Sequence, residues 1–253
     1  MEDLQENRFL NKNLSISVLI PVYNDETTIE LVVNKAIKFI KPYCSSFEII
    51  IINDKSPDNS ISIIESMIKK NKFIKLISHQ KNIGYGGTLK TGIKYAKNDI
   101  LCMIDGDDEY DVRDFLRMLK FINRYDLIIG FRYKKLYSTK RIFISYVYNK
   151  ILKILFKTNY RDISTGIRVF KKSILENIQI TSNSSFVGAE LAIKAMFDGV
   201  PVGEVGIQTF PNKFRGGSSI KIINIIKTLD DLLRVRKEIF SDTYQLPSGR
   251  LRD

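Results

Sequence analysis

Ile100-Leu-Cys-Met-Ile-Asp-Gly-Asp-Asp-Glu109 runs a short apolar segment straight into four acidic side chains. Ile100 to Ile104 reads as a buried strand, and Asp105, Asp107, Asp108 and Glu109 fall at its carboxyl end. Open α/β sheets bind ligands in the crevice beyond that edge. Carboxylates this close repel one another unless a cation or a hydrogen-bond network neutralises them. Oxygen ligands at this spacing suit Mg2+ or Mn2+, and those ions suit a diphosphate. The competing reading is a solvated polar turn. An EF-hand is excluded, because with Asp105 in position one the required glycine falls on Tyr110 and the bidentate glutamate on Leu116.

Outward from this segment, apolar runs alternate with amphipathic stretches between residues 16 and 130. Strands are expected at Ile16–Val22, Phe47–Ile52, Phe73–Ile77, Ile100–Ile104 and Asp126–Gly130. Helices are expected at Thr27–Ile40, Ser60–Lys70, Thr88–Ala96 and Asp111–Ile122. The alternation predicts an α/β fold, a mostly parallel sheet flanked by helices on both faces. Beyond Gly130 it gives way to two amphipathic helices, Arg141–Lys157 and Ile222–Phe240. Each of these packs in a core or an oligomer, which leaves a homodimer open, or lies on a membrane surface. No repeat or low-complexity linker divides the chain. An N-terminal extension over 1–14, one domain over 15–221 and an amphipathic helix with a polar tail over 222–253 are expected.

Hydrophobic and charged fractions of 44% and 27% set this 253-residue chain among soluble globular proteins with one large domain. Cys44 and Cys102 form no disulfide framework and suggest a reduced, cytoplasmic compartment. The acidic start, Met1-Glu-Asp-Leu-Gln-Glu, is not a secretory signal. No apolar run approaches the roughly 18–20 residues of a spanning helix, so an integral membrane protein is not expected. The net charge of +12 is unevenly spread: residues 1–126 hold 18 basic and 18 acidic side chains, residues 127–253 hold 22 and 10. Leu127 to Arg161 holds nine basic residues and no acidic one. That asymmetry points to an anionic partner: nucleic acid, membrane or a phosphorylated substrate.

Two further strand ends carry polar clusters. Pro21-Val-Tyr-Asn-Asp25 closes the first strand, where Pro21 stops ladder pairing and presents Tyr23 and Asp25 at the sheet edge. An aromatic ring there can cover a base, and a carboxylate can accept from ribose hydroxyls. Ile52-Asn-Asp-Lys-Ser-Pro-Asp58 closes the second strand, and Asp54 there can accept from a base imino group. Each is ordinary turn chemistry alone; together with Asp105–Glu109 they bring three sheet edges to one crevice. Asn82-Ile-Gly-Tyr-Gly-Gly-Thr-Leu-Lys-Thr-Gly92 is a glycine-rich turn entering a helix. It can cradle a phosphate or simply pack closely. It fails the dinucleotide fingerprint at Leu89 and lacks the Gly-Lys-Ser/Thr of a P-loop.

From Ser15 to Lys221 these residues resemble family-2 glycosyltransferases of the GT-A fold. The resemblance rests on Pro21-Val-Tyr-Asn-Asp25, Asn53-Asp-Lys-Ser-Pro-Asp58, Asn82-Ile-Gly-Tyr-Gly86, Asp105-Gly-Asp107, Gly130-Phe-Arg132, Asp162-Ile-Ser-Thr-Gly-Ile-Arg168 and Phe214-Arg-Gly-Gly-Ser218, in order. Within that family the residues look like those of the polyprenyl-phosphate sugar transferases. The resemblance implies a GT-A, Rossmann-like sheet with C-terminal amphipathic helices, and an inverting, metal-dependent hexosyltransferase. It implies a UDP- or GDP-sugar donor held by Pro21, Val22, Tyr23, Asp25, Ile52, Asp54, Gly84, Asp105, Gly106, Asp107, Arg132 and Arg215. Mg2+ or Mn2+ would sit on Asp105, Asp107 and Glu109. Asp107, Arg132 and Glu190 would serve catalysis, with Glu190 and Asp162–Arg168 bordering the acceptor. Asn53 departs from the second aspartate of many relatives, and Glu109 from their glutamine.

A polyprenyl phosphate presented at the membrane surface is the acceptor so implied, and an enzyme peripheral on the cytoplasmic face the expected localisation. The Gln-x-x-Arg-Trp motif of processive synthases is absent, since the chain has no tryptophan, so one sugar is expected per transfer. An ionised phosphate acceptor needs no general base; a saccharide hydroxyl would, and Glu190 is the candidate for that case. His79, the one histidine, is expected to be structural. The rival readings are a soluble family-2 enzyme acting on a saccharide in cell-surface glycan synthesis, and a non-catalytic basic protein binding membrane or RNA. No RRM, KH or helix-turn-helix signature supports nucleic acid.

Overall fold

Leu14–Val22 forms β1, buried at all but one of its positions, as a central strand covered by helices on both faces must be. The structure is a computed structural model describing residues 13–135, 139–210 and 222–241. The chain continues through α1 (Ile29–Phe39), β2 (Cys44–Asn53), α2 (Ser60–Lys70), β3 (Ile74–Ser78), α3 (Tyr85–Tyr95) and β4 (Ile100–Met103). Then follow α4 (Asp114–Leu119), β5 (Leu127–Lys135), α5 (Thr139–Phe156), β6 (Arg168–Lys171), α6 (Val187–Phe197), β7 (Val202–Thr209) and α7 (Ile222–Ile239). All strands and helices expected from the sequence form, most within three residues at their ends; α4 keeps only half of the helix expected over Asp111–Ile122, and β5 runs on past Gly130 to Lys135. β6, α6 and β7 were not foreseen.

The seven-stranded sheet has the order β3-β2-β1-β4-β6-β5-β7. β1 pairs parallel with β2 and β4, β2 with β3, and β5 with β7; β6 runs antiparallel to β4 and β5. The mostly parallel α/β architecture is therefore as expected, with β6 as the exception. Strand residues alternate between two cores. Ile16, Val18 and Ile20 join Val32 of α1, Ile64 of α2 and Phe115 of α4. Leu19, Ile50, Ile52, Leu101 and Met103 join Leu89 of α3, Ala192 of α6, Phe156 of α5 and Val235 of α7. Period-two alternation on parallel strands thus fills both layers.

The two late helices are only half used by that packing. α5 buries Asn149, Leu152 and Phe156 and exposes Phe143, Ile144, Tyr146, Val147, Ile151 and Ile154. α7 buries Leu232, Val235 and Ile239 and exposes Ile223, Ile225, Ile226, Leu229 and Leu233. Core packing accounts for one narrow face of each. Among the described residues no helix is long and apolar enough to cross a membrane.

Candidate active site

The carboxyl ends of β1, β2 and β4 come together because parallel register sets Val22 beside Asn53 and Leu19 beside Met103. Beyond them opens a cleft of about 780 Å³, lined by Pro21, Val22, Tyr23, Asp25, Asp54, Gly84, Asp105, Gly106 and Asp107. Each of the three edge loops holds one non-glycine residue in the left-handed region: Asn24, Lys55 and Asp108. Such backbone persists only where surrounding bonds over-determine it. Here they do. The Asn24 N–H donates to Ser56 Oγ (2.8 Å) and the Glu26 N–H to Asp58 Oδ2 (2.9 Å), lacing the first loop to the second. Thr28 Oγ1 donates to the Gly106 carbonyl (2.7 Å), lacing the first to the third. A side chain at Gly106 would come within 3.1 Å of Asp25 Oδ2.

Asp54 sits under the amino end of α3. Its Oδ1 accepts from the Ile83 N–H and its Oδ2 from the Gly84 N–H, both at 2.9 Å, so the carboxylate satisfies N–H groups at the helix start. The glycine-rich turn packs on a neighbouring loop. The Gly86 N–H donates to the Asn183 carbonyl (2.9 Å), and a Cβ on Gly86 would lie 2.5 Å from Ser182 O. Gly84 takes a φ of 87°, open to glycine alone without strain.

Asp105 is held by the hydroxyl of the half-buried Tyr85, which also lines the cleft and donates to Asp105 Oδ1 at 2.6 Å. Burial lifts the Asp105 carboxyl to about 6, against the Tyr85 hydrogen bond and together with the charges of Asp25 and Glu109. Glu109 donates its N–H to Asp107 Oδ1 (3.1 Å), and Asp108 turns away to pair with Lys35 at 2.7 Å. Among the described residues no three Asp, Glu, His or Cys side chains gather into a metal cage. Mg2+ commonly uses only one or two carboxylates and completes its shell with water and substrate phosphates. Asp105 and Asp107, in a crowd of negative charge at the cleft floor, fit that kind of site.

The far wall is built by residues the sequence did not announce. Asn183, Ser184 and Ser185 line it with Ile223, Asn224, Lys227, Asp230 and Asp231 of α7. Asp231 Oδ2 accepts from the N–H groups of Asn183 (3.1 Å) and Ser184 (2.9 Å), fastening α7 to that loop.

The family model for glycosyl transferase family 2 matches residues 17–179. The chain belongs to that family. A dolichyl-phosphate beta-glucosyltransferase of Dictyostelium discoideum is 25% identical over 97% of this chain and 81% of its own length. Glycosyltransferase AglD of Haloferax volcanii is 23% identical over 92% of this chain, which spans 38% of that protein. Glucosyl-3-phosphoglycerate synthase from Mycobacterium tuberculosis, solved with Mn2+, UDP and phosphoglyceric acid, has the same fold. It superposes with a TM-score of 0.70 and 16% identity over 92% of this chain and 82% of that one.

Several expected site residues stand elsewhere in this family 2 enzyme. Arg132 lies outside the cleft lining: its guanidinium grips Asp162 through Nε (2.7 Å) and Nη2 (3.0 Å) and reaches Ser164 Oγ (2.8 Å). A bidentate carboxylate partner occupies the fork that a diphosphate would need. Glu190 is not a base facing the cleft. It is fully buried, accepts from the N–H groups of Thr181 (2.9 Å) and Ser182 (2.8 Å), and pairs with Lys194 at 2.9 Å. Burial would raise its carboxyl, but Ser182, Lys194 and Thr181 together hold it below the usual glutamate range. Ile52 is buried in the second core, under Gly92 of α3, and does not line the cleft. Glu109 is buried beside the acidic cluster but is not on the cleft wall. Arg215 lies outside the described residues.

Tyr85 and Asp231 escaped the sequence reading. Tyr85 was legible only as part of a glycine-rich turn. Asp231 shares its helix with the adjacent Asp230 and gives no local sign that it reaches the loop at Asn183.

Proposed function

We propose that this glycosyltransferase moves a single hexose, with inversion, from a nucleotide sugar to a polyprenyl phosphate at a membrane surface. The observation that carries the reading is the double use of α7. Ile223, Asn224 and Lys227 line the cleft, while Ile225, Ile226, Leu229 and Leu233 on the same helix are exposed. An outward apolar stripe of this kind marks an interaction surface. Exposed Phe143, Val147, Ile151 and Ile154 on α5, with exposed Lys150 and Lys153 among them, supply a second one. Apolar faces with basic flanks suit the lipid interface. The Dictyostelium relative is named for glucosyl transfer to dolichyl phosphate, itself a polyprenyl phosphate.

In this reading Tyr23, 41% exposed at the cleft lip, covers the base of the donor, and Asp54 accepts from it. Pro21, Val22, Asp25, Gly84 and Gly106 shape the walls around the nucleoside. Asp105 and Asp107 hold Mg2+ or Mn2+, which when bound acts as a Lewis acid toward charge growing on the departing nucleoside diphosphate. Lys227 is the one cation among the described lining residues and meets phosphate oxygens at the α7 wall. The acceptor phosphate oxygen forms a bond to the anomeric carbon as the bond to the diphosphate breaks on the opposite face. That oxygen is already ionised near neutral pH, so no base has to take a proton, in keeping with the buried position of Glu190. The enzyme sits peripherally on the cytoplasmic face, where thiols such as Cys44 and Cys102 stay reduced.

Flotation with anionic liposomes at low and high salt, alongside transfer assays on polyprenyl phosphate and on water-soluble saccharides, tests the reading. Salt-sensitive flotation with transfer to the lipid phosphate is expected. No flotation at low salt, with full activity on a soluble saccharide, would replace it with a soluble family 2 enzyme.

A further inference from the structure

We propose that His79 is a positioning residue that makes Asp54 a one-acceptor reader of the donor base, and so favours uridine over guanosine diphosphates. The inference rests on the reading of Asp54 as the base contact. His79 follows β3 directly, mostly buried, with its Nδ1 2.8 Å from Asp54 Oδ1 and its Nε2 3.0 Å from Thr91 Oγ1 of α3. An ionised carboxylate only accepts, so Nδ1 carries the proton and donates. Thr91 Oγ1 also lies 3.1 Å from the Gly87 carbonyl, and its single proton serves either that oxygen or Nε2. In both arrangements the Nδ1–H stays on Asp54, and the ring is pinned from behind.

The lone pairs of Asp54 can then be counted. Oδ1 accepts from Ile83 N–H and from His79, which uses both of its lone pairs. Oδ2 accepts from Gly84 N–H and keeps one. A single remaining acceptor on a residue of the cleft wall matches the lone imino N–H of uracil. Guanine presents two adjacent donors, which a carboxylate meets best with both oxygens, and His79 has taken one of those oxygens. Cytosine presents a bare ring nitrogen that a carboxylate repels. His79 thus stands behind the reader and sets how many donors it can meet, without itself lining the cleft.

The test measures Kd for UDP, GDP and CDP by calorimetry, and donor KM and kcat, in the wild type, His79→Phe, His79→Asn and Asp54→Asn. The wild type is expected to bind UDP most tightly and CDP least. His79→Phe should weaken UDP about tenfold, the size of one lost charge-assisted hydrogen bond, and narrow the UDP/GDP ratio. The loss should appear in donor KM while kcat at saturating donor holds. His79→Asn keeps an N–H near the Nδ1 position and should recover most of the UDP affinity. If Asp54→Asn weakens UDP but His79→Phe leaves both the affinity and the ratio unchanged, the role of His79 is wrong and that of Asp54 stands. If Asp54→Asn leaves UDP affinity unchanged, the base contact itself is misassigned. Should His79→Phe not fold, Thr91→Val loosens the ring without touching Asp54: a smaller loss of UDP affinity and selectivity upholds the proposal, and none overturns it.

Discussion

Replacing Glu190 by Gln should cost stability before it costs chemistry. The carboxylate is fully buried and meets only donors: the Thr181 N–H and Oγ1, the Ser182 N–H and the Lys194 ammonium. Glutamine fills the same volume but turns one oxygen into an NH2 group, so either flip sets donor against donor. Losing one partner of a buried ion pair costs about 3–5 kcal/mol. Lys194 keeps Gln179 O and Glu238 as partners, both at 2.7 Å, which favours the lower end. At about 2–4 °C per kcal/mol for a chain of this size, a loss near 3 kcal/mol lowers Tm by roughly 6–12 °C. Circular dichroism melts give the shift, and initial rates well below both midpoints give the activity, which should fall only modestly as the Asn183–Ser185 wall loosens. A variant that melts within about 2 °C of the wild type yet loses turnover a hundredfold would refute the structural role and restore Glu190 as a base.

Asp107→Asn should reduce turnover at least about a hundredfold, matching the several kcal/mol a Lewis acid supplies, with an unchanged melt; near-normal rates at limiting Mn2+ would remove Asp107 from the metal site. Tyr85→Phe removes the hydrogen bond that opposes the high pKa of Asp105, so the carboxyl shifts further up and binds metal less well. The Mn2+ concentration for half-maximal activity should rise about fivefold near pH 7, and an unchanged metal titration would exclude the contact. Glu48 is buried, yet hydrogen bonds from Lys75, Ser17 and the Lys97 N–H hold its carboxyl below the usual 4.5. Its contribution is full above that value and is lost as pH falls through the lower folded pKa. Melts recorded from pH 6 downward should therefore show Tm declining below about 4.5, and Glu48→Gln should flatten that decline. Ile226→Glu with Leu229→Glu, at two exposed positions of α7, should sharply weaken liposome flotation without lowering Tm, and unchanged flotation would move lipid contact off this helix.

What this chain declares locally is the first half of its fold and the floor of its cleft. Alternation of period two on strands and three to four on helices is written in consecutive residues, so β1 to β5 and α1 to α4 are legible without tertiary information. The acidic cluster at Asp105–Glu109 and the polar ends at Pro21–Asp25 and Asn53–Asp58 are equally local, and parallel pairing delivers all three to one edge. The rest depends on partners far away in sequence. β6 is four residues long and carries the buried Arg168, so nothing in its pattern announces an antiparallel strand between β4 and β5. Arg132 looked like a phosphate ligand until Asp162, thirty positions on, took its guanidinium. Glu190, expected as a candidate base beside the acceptor, is instead buried where Thr181 and Ser182 fold over it. His79 looked inert until β3 and α3 closed it between Asp54 and Thr91. A side chain's type states which bonds it can make; only the packed chain decides which partner comes within reach.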